Sequence, residues 1–195
     1  MKKPSSPSPE KLPVSEVRMK RSVLPLLLLS LMALSGCVFR SQEGNSRNVY
    51  DLSPEFPQCP KAVHRIRISD LSGADRRFLY RKEGNLIVAD ERNCWLFSPE
   101  QMLKRTFDMV FADRSSDAAN ILCRIERFEF DLPGKSANLR LAVTFEKAGK
   151  SVTKVFTEKE KFTTASSAAS AMDKCVRRAM KNICAAYTVS GGIEK

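Results

Sequence analysis

Histidine is almost missing from this chain: His64 is the only one among 195 residues. A histidine-based metal site or a Ser-His-Asp triad therefore has almost no raw material. Glycine is sparse as well, eight residues scattered singly except for Gly191-Gly192, which leaves no glycine-rich loop to cradle a phosphate. No apolar run is long enough to cross a bilayer as a helix, which needs about 20 residues; the longest, Val23 to Leu34, has 12. No internal repeat is evident. His64 stands beside Arg65 on an expected strand and reads as a surface residue rather than a base. The acidic pair Asp90-Glu91 reads as solvated charge at a hairpin end. With these absences, no enzyme activity, resident cofactor or metal ion is expected.

Present in excess is positive charge: 33 Lys and Arg against 22 Asp and Glu, a net +11. Such a balance suits anionic headgroups, an acidic protein partner or nucleic acid. The N-terminal pattern decides among these. Met19-Lys20-Arg21 opens the short apolar run, and small residues close it at Leu34-Ser35-Gly36-Cys37. A positive start, a short apolar stretch and a small-residue end make a secretory signal, and this ending resembles the bacterial lipobox. Ser35 and Gly36 are small enough for the narrow site of a membrane-surface peptidase. Cys37 offers the sulfur that takes up diacylglycerol and, after cleavage, an amine that can be acylated. Two or three acyl chains anchor far more firmly than one, since each buried CH₂ contributes about 0.8 kcal/mol.

The expected organisation follows. Residues 1–36 are the signal segment, with Met19 as the expected start, 37–48 a lipidated tether, 49–190 a single domain, and 191–195 a tail. The mature 159 residues keep 27 basic and 20 acidic side chains, and an exported protein meets no nucleic acid. Val38 follows Cys37, not the Asp that retains lipoproteins at the inner membrane of enteric bacteria. The expected address is the outer membrane, facing the periplasm. Eleven tether residues reach at most about 36–40 Å, so the domain hangs clear of the membrane without crossing the periplasm.

Five more cysteines follow: Cys59, Cys94, Cys123, Cys175 and Cys184. In an oxidising compartment an odd count leaves at least one thiol unpaired. Cys175 and Cys184 lie about 13.5 Å apart along one expected helix and cannot bond each other. At most two disulfides can form, their pairing is not specified, and small buried hydrophobes are an equal reading. Three basic groups, Arg76-Arg77 with Arg81-Lys82, Arg177-Arg178 with Lys181, and the lysines from Lys147 to Lys161, read as solvated faces, with a lipid or partner footprint as the alternative.

Periodicity gives the fold class. Val49-Leu52 and Val63-Ser69 read as strands, the second without a clean apolar face. Phe78-Arg81 and Leu86-Ala89 flank Glu83-Gly84-Asn85, a hairpin signal. Ser98, Pro99 and Gln101 form the start of a helix with a capping box, Phe97 and Met102 are spaced as a hydrophobic staple, and Leu103, Phe107, Val110 and Phe111 make the apolar stripe. Ile121, Cys123 and Ile125 share one parity and Phe128 and Phe130 the other, which predicts a bulge near Glu126-Arg127. Leu139 to Phe145 alternate strictly, a turn at Ala148-Gly149-Lys150 leads to a last strand, and a helix spans Ala165 to Tyr187. The order predicts an α+β domain: an antiparallel sheet with two amphipathic helices on one face.

Several short motifs resemble the ABC-type transport auxiliary lipoproteins, the family typified by paraquat-inducible protein C (PqiC-like). They are Tyr50-Asp51-Leu52, Ile68-Ser69-Asp70-Leu71, Arg77-Phe78-Leu79-Tyr80-Arg81, Trp95, Pro99 with its helix, and Phe128-Glu129-Phe130-Asp131. The family often has a proline shortly before its Tyr-Arg, where this chain has Ala74-Asp75-Arg76. Its Trp and Pro are usually one residue closer than Trp95 and Pro99. The resemblance implies an outer-membrane lipoprotein that serves a lipid-trafficking system made of an inner-membrane permease, an ATPase and a substrate-binding protein of the Mce type. The lipoprotein would dock or hand over and do no chemistry, with Cys37 as the one functional position. An assembly lipoprotein for lipopolysaccharide or another outer-membrane complex, and a periplasmic enzyme of unrecognised chemistry, are the other readings. The sequence sets no subunit count, so homo-oligomers stay open.

Overall fold

The computed structural model describes residues 46–52 and 55–190. The signal segment, the Leu34-Cys37 lipobox, most of the tether and the 191–195 tail lie outside these residues. Asn45–Lys195 forms a compact unit of its own.

Seven strands make one sheet: β1 (Asn48–Tyr50), β2 (Ile66–Asp70), β3 (Arg77–Arg81), β4 (Ile87–Trp95), β5 (Asn120–Asp131), β6 (Ser136–Lys147) and β7 (Lys150–Lys161). Helix α1 (Pro99–Val110) connects β4 to β5, and α2 (Ala165–Ser190) closes the domain. The order across the sheet is β1-β4-β3-β5-β6-β7, with β2 also on β5. The α+β class stands, but the sheet is mixed rather than antiparallel: β1–β4, β2–β5 and β3–β5 are parallel pairs. The reason lies in β5. β2 pairs with Ile121–Ile125 and β3 with Phe130–Asp131, so β2 and β3 act as one interrupted strand along a single edge of β5. Alternation of side chains reports which face is buried and says nothing about the direction of the neighbouring strand.

The expected bulge is present, a register shift between Ile125 and Arg127. It lets Ile121, Cys123 and Ile125, then Phe128 and Phe130, all point inward. The uncertain strand at 63–69 has a similar explanation. Val63 makes an isolated bridge to Arg114, and the regular strand starts only at Ile66, so the parity of the inward residues changes between them.

Helix α1 begins as its sequence dictates. The Ser98 hydroxyl accepts from the Gln101 N–H at 3.3 Å, and the Gln101 side chain accepts from the Ser98 N–H at 3.2 Å. Met102, Leu103, Phe107 and Val110 turn into the core. Phe97 is left 37% exposed with the Arg105 guanidinium 5.3 Å over its ring. On α2 the small residues Ala168, Ala171, Cys175 and Ala179 are buried, so its backbone lies close to β6 and β7. The rings of Phe111, just past α1, and Tyr187 on α2 meet at 5.5 Å, and Tyr187 also packs on Phe145 of β6. Both helices thus cover the same face. On the opposite face Arg124, Arg140, Thr153 and Val155 are open to solvent.

Candidate functional site

Three places in the domain bear on function: the entry of the tether, the cysteines, and a polar groove. The entry is fixed by β1. Asn48 lies beside Asn93 and Tyr50 beside Trp95, with β1 parallel to β4. The Asn93 side chain holds this short strand. Its oxygen accepts from Asn48 Nδ2 at 3.1 Å and from the Tyr50 hydroxyl at 3.4 Å, while its own amide donates to Asp90 Oδ2 at 2.7 Å. Asp90 also accepts from the backbone N–H groups of Arg92 and Asn93; burial works against its charge, but these donors hold the carboxyl below the usual range. β1 thus runs in the direction of β4, which starts at Ile87 next to the β3–β4 hairpin, and pairs with its far end, Asn93–Trp95. Cys37, Leu34, Ser35 and Gly36 themselves lie outside the described residues.

Beyond β1 the chain is fastened to α2. Cys59 and Cys184 form a disulfide with their Cα atoms 5.6 Å apart, closing 125 residues of sequence. The Tyr187 hydroxyl donates to the Ala62 carbonyl at 2.7 Å, and Arg177 donates to the Glu55 carbonyl while lying 5.2 Å over the Phe56 ring. Sequence reasoning limited the bonds to two and left the pairing open, because nothing local ties residue 59 to residue 184. Cys94, Cys123 and Cys175 are free and buried. Burial pushes the thiols of Cys123 and Cys175 up to about 12, so neither offers a thiolate for chemistry.

Four arginines of the basic groups, Arg77, Arg81, Arg177 and Arg178, are spent on ion pairs. Arg178 donates to Glu158 at 3.0 Å and Glu160 at 2.7 Å, tying α2 to β7, and these contacts hold the Glu160 carboxyl below its usual range. Arg177 pairs with Asp173 at 2.8 Å. Arg81 makes a two-pronged bond to Glu129, 2.7 and 2.9 Å, with the carboxylate only 6% exposed. That pair went unseen in the sequence, where Arg81 read as part of a solvated patch. The aromatic motif residues meet in the core. The Phe78 ring lies tilted at 4.5 Å from Trp95, 4.8 Å from Phe130 and 5.2 Å from Tyr50, while Asp51 accepts from Arg105 at 2.7 Å. Phe78, Trp95, Phe128 and Phe130, all quoted for the family likeness, therefore belong to the core of this half of the sheet.

A concavity lies at the end of the sheet far from the hairpin. A groove of about 720 Å³ is lined by His64, Asp117, Asn120, Glu146, Lys147 and Lys150, among others. It adjoins a depression of about 350 Å³ that shares His64, Asn120 and Glu146 and adds Arg65 and Arg67. The Asn120 Oδ1 is buried there with no hydrogen-bond partner. Left-handed Ala148 and Gly149, with φ of 50° and 78°, make the tight turn that carries Lys147 and Lys150 into the rim. His64 is exposed, as its position suggested. The groove offers hydrogen-bonding groups and charges of both signs. Among the described residues no cluster of three metal-ligating side chains occurs, and no helix is long and apolar enough to cross a membrane.

No family model matches the chain, and no curated protein matches it. Solved structures do. One, described as an uncharacterized protein, has a TM-score of 0.61 at 14% identity, covering 72% of this chain and 97% of that one. Another, protein XCC0632 from Xanthomonas campestris, labelled family DUF330, has a TM-score of 0.58 at 15% identity, covering 74% and 96%. The chain thus shares its architecture with both, and at such identities the likeness is one of fold.

Proposed function

We propose that this chain is a lipid-anchored envelope protein, held at the periplasmic face of the outer membrane through diacylglycerol on Cys37, and that it docks an Mce-type ABC lipid transporter in the manner of the PqiC-like auxiliary lipoproteins. The observation that carries the reading is the ending Leu34-Ser35-Gly36-Cys37 behind a 12-residue apolar run. Three features support it. The Cys59–Cys184 bond suits an oxidising compartment. The polar groove opens at the end of the sheet far from the β3–β4 hairpin and offers charges of both signs to a partner. The motifs shared with the family are structural, which fits a carrier of contacts rather than of chemistry.

In this reading the anchor limits the domain to a few tens of ångströms from its membrane, so the inner-membrane partner extends to meet it. The groove around Asn120, Glu146 and Lys150 faces that partner. The test is recovery of the tagged, lipidated chain from detergent-solubilised membranes. We expect an Mce-domain protein, a permease and an ATPase to come with it, and Glu146→Lys with Lys150→Glu to cut their yield at least fivefold. Recovery of an outer-membrane barrel or a lipopolysaccharide-assembly complex in their stead would overturn the assignment.

A further inference from the structure

The hairpin end of the sheet exposes aliphatic side chains among lysines. Three segments meet there: the β3–β4 hairpin at 82–86, the β5–β6 turn at 132–135, and the exit from β7 at Lys161. They are sewn together by main-chain bonds, Leu132 N–H to the Arg81 carbonyl at 2.9 Å and Phe162 N–H to the Lys135 carbonyl at 2.9 Å, and by Lys161 Nζ to the Gly134 carbonyl at 2.7 Å. Leu86 is 59% exposed and Leu132 37%. Leu86, Leu132 and Pro133 line one shallow depression with Lys82 and Glu83. Lys82 and Lys135 are exposed and make no ion pair, so with Lys161 they leave this tip positive against Glu83 and Asp131. Side chains of this kind, aliphatic at the apex with lysines around it, are those that settle into the boundary between headgroups and acyl chains.

We propose that this tip is a second membrane contact: Leu86, Leu132 and Pro133 enter the headgroup region of an anionic bilayer while Lys82, Lys135 and Lys161 pair with its phosphates. The inference rests on the lipid-anchor reading for its geometry. Asn48 is level with Asn93, six residues along β4 from Ile87, or roughly 20 Å. Cys37 precedes Asn48 by eleven residues, a reach of about 36–40 Å. The span is sufficient for the acyl chains to be buried while the tip touches the same surface. Two contacts in place of one would fix the orientation of the domain and turn the His64–Asn120–Glu146 groove away from the membrane.

The test uses residues 45–195, the compact unit that contains the whole described core and lacks both Cys37 and the apolar leader. It is sedimented with vesicles of phosphatidylcholine containing 30 mol% phosphatidylglycerol, and with phosphatidylcholine alone. The unit should bind the anionic vesicles, at least tenfold better than the neutral ones, and lose this binding in high salt. Leu86→Ser with Leu132→Ser should weaken it about tenfold or more. Val155→Ser removes an apolar side chain of similar exposure from the open face of the sheet, 50% exposed, and should change nothing. No binding to anionic vesicles, or equal binding by the tip variant, or an equal loss with Val155→Ser, would overturn the proposal. Because Cys37 is absent from the tested unit, this outcome is independent of whether the anchor itself is lipidated.

Discussion

The Arg81–Glu129 pair shows how much a single residue's reading depends on its partner. In sequence Arg81 sits in a basic group, yet its guanidinium is 24% exposed and grips a carboxylate that is 6% exposed. Removing one member of such a pair leaves the other charge short of a partner inside the protein. Arg127, 3.3 Å from the same carboxylate, softens the loss. Arg81→Met should therefore destabilise the domain by about 2 kcal/mol, which chemical unfolding in urea reads as a midpoint lowered by roughly 1 M at unchanged slope. Adding Glu129→Leu should recover part of it, since both charges are then gone. An unchanged midpoint in Arg81→Met would mean that the pair holds nothing together.

At the level of elements, the capping box of α1, the hairpin, the bulge in β5 and both helices were legible because each is written in local spacing. Ser98 and Gln101 are three residues apart, and the parity change falls within Ile125–Phe128. What escaped was nonlocal. The parallel pairing of β2 and β3 with β5 joins residues some fifty apart and leaves no mark on either strand's alternation. The same holds for Cys59–Cys184, which joins the segment after β1 to α2. That bond constrains an unfolded loop of 125 residues, and closing a loop of this size stabilises by about 3–5 kcal/mol. Cys184→Ser should lower the melting temperature by roughly 10 °C. The melting temperature of the variant should not respond to reductant, whereas that of the parent should fall to meet it. A parent protein insensitive to reductant would contradict a bond that holds the two elements together. The groove was equally hidden: His64, Asn120 and Glu146 come from three separate strand ends, and only Asn120's orphaned oxygen marks the spot as polar space.

Over the whole molecule, the two ends of the sheet differ in kind. One carries Leu86, Leu132 and lysines; the other carries a polar groove with charges of both signs. With a lipid anchor, as proposed above, this polarity would determine which end a partner meets. The envelope reading depends on what Cys37 bears. The decisive measurement is incorporation of radiolabelled palmitate in cells making the full chain, with and without Cys37→Ala. The account predicts label on the parent protein and none on the variant. A parent chain that takes up no palmitate, or a Cys37→Ala chain that is labelled and processed like the parent, would contradict it.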